Sequence, residues 1–412
     1  MPVNIIKSIL LVSMFFLNFY QARTEGGSNY SVFGIGDLQG ANGAFYQGLG
    51  GTSIALPSED AINFRNPALW GLVSKTRLQV GYRFIQLYIS QGNESLFQNN
   101  GSVDAIAGIF SVDTSVGISI SFGLVPYSHV DYLNINPIKL FLDGMEVQGK
   151  STYQGKGGLT NGYLGMSYQL FDGLYLGASA FANFGSLSSS IKTVLYDAHS
   201  IETITLRDDN YMGSGLRAGI YYQLGSLGLG AFYEKQINFK VKSQLRYYYL
   251  VDADTTLIDE NKFTLPDAYG FGASLRTGKF LIGADIMMQD YTGFGYQIGP
   301  KAEFKDFLSA NIGVQRTGSK LAGTKYLDKV DFNFGMGFKQ LYYRVLGKDI
   351  NEFYGSFGMS MPLLDNTKLD WALVIGNRGT TDSGLINETF GSFIISISIG
   401  EVWFKPFRRY YE

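Results

Sequence analysis

Runs of strict two-residue alternation recur along this chain, and no other feature limits its fold as tightly. Between residues 116 and 124 the even positions carry Val116, Ile118, Ile120, Phe122 and Leu124, while the odd ones carry Gly117, Ser119, Ser121 and Gly123. A period of two belongs to a β-strand, whose successive side chains point to opposite faces. The pattern returns with Leu216, Ala218, Ile220, Tyr222 and Leu224 set against Arg217, Gly219, Tyr221 and Gln223. It recurs at Tyr269–Leu275, Phe280–Met288, Leu308–Val314 and Ile395–Ile399, and the first clear strand is Leu78–Leu87. Each segment is greasy on one face and small or polar on the other, so the chain is all-β.

Two architectures bury one face of such strands: a sandwich with apolar faces inward, or a barrel with its apolar face turned to lipid. Composition separates them. A soluble sandwich needs a charged outer face, yet charged residues are only 17% of this chain, against about 25% in soluble domains. The face opposite the apolar one is mostly Gly, Ser, Asn, Gln and Tyr, and charges gather around 197–209, 252–262 and 365–370, which read as connections. Aromatic residues near strand ends (Tyr221, Tyr222, Tyr247, Tyr248, Tyr249, Tyr342, Tyr343) fit the girdles of a membrane barrel. A transmembrane antiparallel β-barrel is therefore expected, ahead of a secreted sandwich. Past residue 22 no stretch approaches 18 consecutive apolar residues, which excludes a helical membrane protein.

The ends of the chain read differently. Residues 1–22 hold a short apolar run, Ile9–Leu17, after Lys7, as expected of a secretory signal peptide. Export combined with a barrel places the protein in a bacterial outer membrane. Residues 23–72 are Gly-rich and lack alternation, but Phe45, Tyr46, Leu49, Ile54, Phe64, Leu69 and Trp70 give them material to pack. We expect them to form an N-terminal plug in the lumen, followed by a barrel over 73–404 and a basic tail over 405–412. Pro406 cannot donate to a ladder, which sets that tail outside the wall.

Several function classes fall away. A net charge of −2 gives no footprint for nucleic acid. There is no Cys, and the only histidines, His129 and His199, lie in expected connections without a Ser-His-Asp or metal-ligand set around them. No catalytic residue, metal or cofactor is expected. Four charges fall on the small-residue parity: Arg217, Glu234, Arg276 and Asp285. Since an unpaired charge facing hydrocarbon is costly, these should line a wet interior, or pair with one another or with the plug.

The segment GLGGTSIALPSEDAINFRNPALWG, a Gly-rich turn and acidic stretch followed by Asn66, Pro67 and Ala68, resembles the N-terminal signature of FadL/TodX-type outer-membrane transport proteins. FTLPDAYGFGAS at Phe263–Ser274 resembles that family's Leu-Pro before an alternating strand, and the segment from Gly376 to the end is similar to C-termini of Bacteroidetes-type members. The resemblance implies a porin-like barrel of about 14 strands, blocked by an N-terminal plug at Asn66, Pro67 and Ala68. It also implies passage of hydrophobic small molecules such as long-chain fatty acids. Outer-membrane lipid, a hydrophobic ligand and other outer-membrane proteins are the expected partners. The alternative is a non-transporting accessory or structural barrel in a larger outer-membrane complex.

Overall fold

The computed structural model describes residues 24–40, 43–92, 94–142, 145–196, 202–249, 255–296, 301–321, 323–364 and 366–401. The expected signal peptide and basic tail, and His199, lie outside the described residues. Two short strands, β1 (Thr24–Glu25) and β2 (Asp37–Leu38), and a single-turn helix α1 (Ala44–Gly48) belong to the N-terminal segment. The wall begins with β3 (Thr76–Gln91), β4 (Glu94–Asp113), β5 (Ile118–Leu142), β6 (Met145–Phe171), β7 (Leu174–Leu195), β8 (Glu202–Leu224) and β9 (Leu227–Tyr249). It continues through β10 (Thr255–Phe263), β11 (Ala268–Thr277), β12 (Phe280–Gln289), β13 (Ala302–Phe304) and β14 (Phe307–Arg316). The last strands are β15 (Asp331–Val345), β16 (Lys348–Leu364), β17 (Thr367–Gly379) and β18 (Asn387–Glu401).

Neighbours in the wall are antiparallel, and β18 returns to pair with β3 from Asn387↔Ser90 to Glu401↔Thr76. That pairing closes the sheet and removes its edges, so the backbone groups of the wall satisfy one another. Strands β10 and β11 share one position beside β9, and β13 and β14 share one beside β15, which gives a closed barrel of 14 strands. Two-residue turns at 172–173, 225–226 and 278–279 mark one rim, called lower here. In membrane barrels the short turns face the periplasm.

The alternation seen in the sequence becomes inside and outside. On β8, Leu216 is 55% exposed and Arg217 6%. Ile120, Phe122 and Leu124 on β5, Tyr269, Phe271 and Leu275 on β11, and Ile395, Ile397 and Ile399 on β18 all face out, while Ser119, Ser121 and Ser396 are buried. Two readings need correction. Tyr221, Tyr342 and Tyr343 belong to no girdle; they are buried inside, because an aromatic near a strand end does not by itself take the outward face. The charged runs near 202–209 and 255–262 are strand, not connection. Strands β5 to β9 are 22 to 27 residues long, far beyond the 9–11 needed to cross a bilayer. Beyond that length the outward face needs no apolar side chains, while inward residues such as Tyr132, Tyr211, Phe239 and Val241 stay buried.

The wall is interrupted at one place. Strand β4 pairs with β5 only from Ile106↔Leu124 to Asp113↔Ile118, and above that level the two part. The N-terminal segment takes up the vacated hydrogen bonds: β1 pairs in parallel with Gln98 and Asn99 of β4, and β2 pairs with His129 and Ser128 of β5. Gly27 N donates to Asp131 O at 2.9 Å, and Gln39 N to Tyr127 O at 2.9 Å. His129 therefore sits in a strand rather than in the expected connection.

Candidate functional site

Residues 26–40 and 43–73 run along the inner face of the wall and are mostly buried. A segment without regular structure must find partners for its backbone groups, and here inward-facing wall side chains supply them from nearly every side. On β12, Asp285 accepts from Ile54 N at 2.7 Å and from Ser53 N. On β4, Asp104 accepts from Gly43 N at 2.6 Å while paired with Arg83 of β3 at 2.6 Å. Ser396 of β18 accepts from Ala44 N, and Ser356 of β16 accepts from Gly50 N and donates to Gly48 O.

Asn66, Pro67 and Ala68 form one structural unit. Asn66 caps the short 3-10 turn Pro67–Leu72: its side-chain oxygen accepts from Ala68 N at 3.1 Å, and Pro67 takes the first position, where an N–H would have no partner. The Asn66 amide nitrogen then donates to Ile54 O at 2.8 Å and to Ile220 O of β8 at 3.0 Å, tying the turn both to its own segment and to the wall. The wall is shaped to admit it. Gly177 and Gly219 are cross-strand partners on β7 and β8, and a Cβ on either would collide with Asn66 or Pro67.

Of the four charges singled out by parity, two bond the segment directly and a third, Glu234, does so through Arg217. Arg217 pairs with Glu234 at 2.6 Å, both nearly inaccessible to solvent, and its other amino group donates to Phe64 O at 2.9 Å. Asp285 joins through its backbone contacts at Ser53 and Ile54. Arg276 does not join; it is exposed at the lower mouth. Sequence reasoning missed a second charged cluster. Arg378 of β17 pairs with Glu352 of β16 at 2.6 Å and with Asp37 at 2.6 Å, while Glu388 of β18 accepts from Ser28 Oγ at 2.6 Å and Asn29 N at 2.8 Å. The signal was present in the inward parity of Glu352, Arg378 and Glu388, but the stretch around Arg378 reads as a turn. Asn63 was missed too. Its carboxamide accepts from the backbone of Arg65 and Asn66 and donates to Ser53 O, and its carbonyl receives the Trp70 indole N–H.

At the lower end, Asp60 pairs with Arg77 of β3 and with Lys368 of β17, the latter at 2.6 Å. Burial alone would raise the Asp60 carboxyl, but the charges of Lys368 and Arg77 outweigh it and hold the group below its ordinary value. Between the segment and the wall lies a cavity of about 120 Å³. Asp37, Arg65, Arg83, Lys339 and Arg378 face it alongside Ile54, Leu87 and Phe307, so its lining mixes charge with apolar surface.

The closed 14-strand barrel is the fold of FadL- and TodX-type channels. The toluene transporter TodX of Pseudomonas putida superposes with a TM-score of 0.61 at 16% identity, covering 90% of this chain and 100% of that one. A Pseudomonas aeruginosa FadL homologue gives 0.61 at 12% identity, covering 88% and 98%. The CymD monoaromatic hydrocarbon channel gives 0.59 at 15%, covering 89% and 99%. At such identities the likeness is one of fold. In sequence, residues 5–410 match the BamG family, and the chain belongs to it. No curated protein matches the sequence.

Proposed function

We propose that this chain is an outer-membrane barrel sealed by its own N-terminal plug, and that it serves as a non-transporting accessory subunit of a larger outer-membrane assembly. One observation carries this reading: the inner segment is latched to the wall by buried charge. A gate that opens in every transport cycle would have to separate Arg378 from Asp37, Glu388 from Ser28, and Asp285 from two backbone amides. Breaking the Arg378–Asp37 pair leaves an uncompensated charge, at about 3–5 kcal/mol, and the two carboxylates, Glu388 and Asp285, would also lose their buried hydrogen bonds. The same segment also stitches the break between β4 and β5, which narrows the gap in the wall. Above the membrane, β5 to β10 rise as a projecting sheet with Ile135, Phe141, Leu257 and Ile258 exposed. Apolar surface of that kind marks contact with another protein.

In this reading residues 1–22 are removed on export, 23–72 form the plug, 73–404 the barrel, and 405–412 a tail outside the wall. A second reading, plug-gated passage of hydrophobic small molecules, draws support from the fold shared with TodX and CymD, and from the break between β4 and β5, where an apolar solute could leave sideways. Native purification followed by mass spectrometry decides between them. The accessory reading expects stoichiometric outer-membrane proteins and no bound hydrophobic ligand. A chain that emerges alone, with fatty acid or hydrocarbon bound, would instead establish the transporter. Deleting residues 26–65 should leave an assembled barrel with raised single-channel conductance, and unchanged conductance would remove the plug from both readings.

A further inference from the structure

We infer that the lower, periplasmic mouth of the barrel is a docking site for an acidic segment of a periplasmic protein. Beneath the N-terminal segment the wall encloses an open vestibule of about 1200 Å³. Its floor is the turn around Ser58–Asp60, and its sides are the lower ends of β3, β11 and β17 with the connection 317–330. Small-molecule sites hold about 300–1,000 Å³. The space suits a stretch of polypeptide better than a single small anion.

Its charge is one-sided. Lys75, Arg77, Arg276, Lys320, Lys329 and Lys368 line it against only Glu59, Asp60 and Asp331. Those three carboxylates are already engaged: Asp60 by Arg77 and Lys368, Asp331 by Lys368, and Glu59 by Lys320. Lys75, Arg276 and Lys329 have no ion-pair partner among the described residues. Arg77 adds an independent observation. Its side chain is 2% exposed, and beyond the pair with Asp60 its Nε and Nη1 find no acceptor among the described residues. Buried N–H groups left unpaired carry a desolvation cost that an arriving carboxylate relieves.

The rim also presents apolar side chains, Leu321 (72% exposed), Leu363 (46%) and Tyr326 (37%). An inorganic anion gains nothing from these, whereas a peptide of mixed acidic and apolar residues would cover them. The chain's own C-terminal residues 402–412 are a poor occupant by charge, since they carry Lys405, Arg408 and Arg409 against Glu412. The inference rests on the accessory reading above, and describes one partner of that assembly by its chemistry.

The test uses the full chain in detergent micelles and a fluorescein-labelled twelve-residue peptide of Asp, Glu and Leu, with an Asn/Gln/Leu peptide of equal length as control. Fluorescence anisotropy should report saturable binding of the acidic peptide, at least tenfold tighter than the control and weakening as salt is raised. Combining Lys75→Gln, Arg276→Gln and Lys329→Gln should weaken it tenfold or more. Heat-modifiable gel mobility reports whether that variant is folded; if it is not, Arg276→Gln alone, at an exposed position, should still weaken binding about threefold. Equal binding of the two peptides, or unchanged binding by the folded variant, overturns the proposal. So does full displacement by inorganic phosphate at matched anion concentration, which would leave a small-anion site. Native co-purification judges the accessory reading separately: a wild-type chain that emerges alone sinks that reading, while the peptide measurements alone decide the vestibule.

Discussion

The barrel wall has two unlike sides. On one, β11, β12 and β14 have 10 residues each; on the other, β6 has 27 and β8 and β9 have 23 each. About ten residues suffice to cross hydrocarbon, so the short side is all membrane wall. The long side adds roughly a dozen residues per strand, or about 40 Å at 3.3 Å per residue. The outward face changes character along the way. On β8 it runs Leu224, Tyr222, Ile220, Ala218, Leu216, Ser214 and Met212, then turns to Asn210 and Asp208. On β9 the change falls at Lys235, which pairs with Asp267 just above the start of β11. One continuous ladder therefore serves two solvents, and only the outward side chains record the passage from lipid to water.

If that boundary is real, a buried and a projecting ion pair that share strand β9 should behave very differently. Arg217–Glu234 lies within the membrane-level wall with both side chains buried. Lys242–Glu260, farther up, is 3.7 Å apart with its side chains 61% and 75% exposed. Arg217→Ala strands Glu234 and frees Phe64 O, and should cost about 3–5 kcal/mol in a detergent unfolding titration. Lys242→Ala should be indistinguishable from wild type. Comparable losses would mean that the upper sheet is packed against something the isolated chain lacks.

The outward apolar residues sharpen the boundary further. Leu216→Arg places a charge near mid-membrane and should lower stability by about 2–4 kcal/mol in a lipid refolding assay. Ile258→Arg, 64% exposed on β10, should stay within about 0.5 kcal/mol. The opposite ranking would move the hydrocarbon band up to β10 and end the comparison.

These contrasts also explain what the sequence could and could not convey. Alternation at Leu216–Leu224 or Phe280–Met288 was readable because lipid on one face and a crowded lumen on the other impose different chemistry on successive residues. Above the membrane that difference vanishes, so Glu202–Asp209 and Thr255–Lys262 looked like loops although their backbones continue the ladder. Tyr342 and Tyr343 looked like girdle residues because an aromatic near a strand end carries no label for inside. In the structure Tyr342 OH donates to Gly36 O at 2.6 Å and Tyr343 OH to Tyr30 O at 3.1 Å. Arg217, Glu234 and Asp285 stood out as charges among small residues, and Asn66-Pro67 as a cap. Their partners were hidden because they are chosen by closure of the barrel: Phe64 O meets Arg217 across 153 residues of chain.

The smallest expected effect concerns the lower end of the same wall, where a latch faces water rather than lipid. Asp60 is held below its ordinary value because Lys368 and Arg77 outweigh its burial. A carboxyl depressed in the folded state contributes stability above its unfolded pKa of about 3.9 and loses it as pH falls through the lower, folded value. Between pH 7 and 5 the latch should therefore be insensitive to acid, and below about pH 4 it should weaken. Reconstituted wild-type protein should approach the conductance of Asp60→Asn only in that acid window, because Asp60→Asn, lacking the charge at every pH, should already be raised at pH 7. The other inward carboxylates are present in both proteins, so the difference between the two curves isolates Asp60. Curves that run parallel from pH 7 to 3 would show that the ends of the N-terminal segment are held by the upper cluster around Arg378 alone.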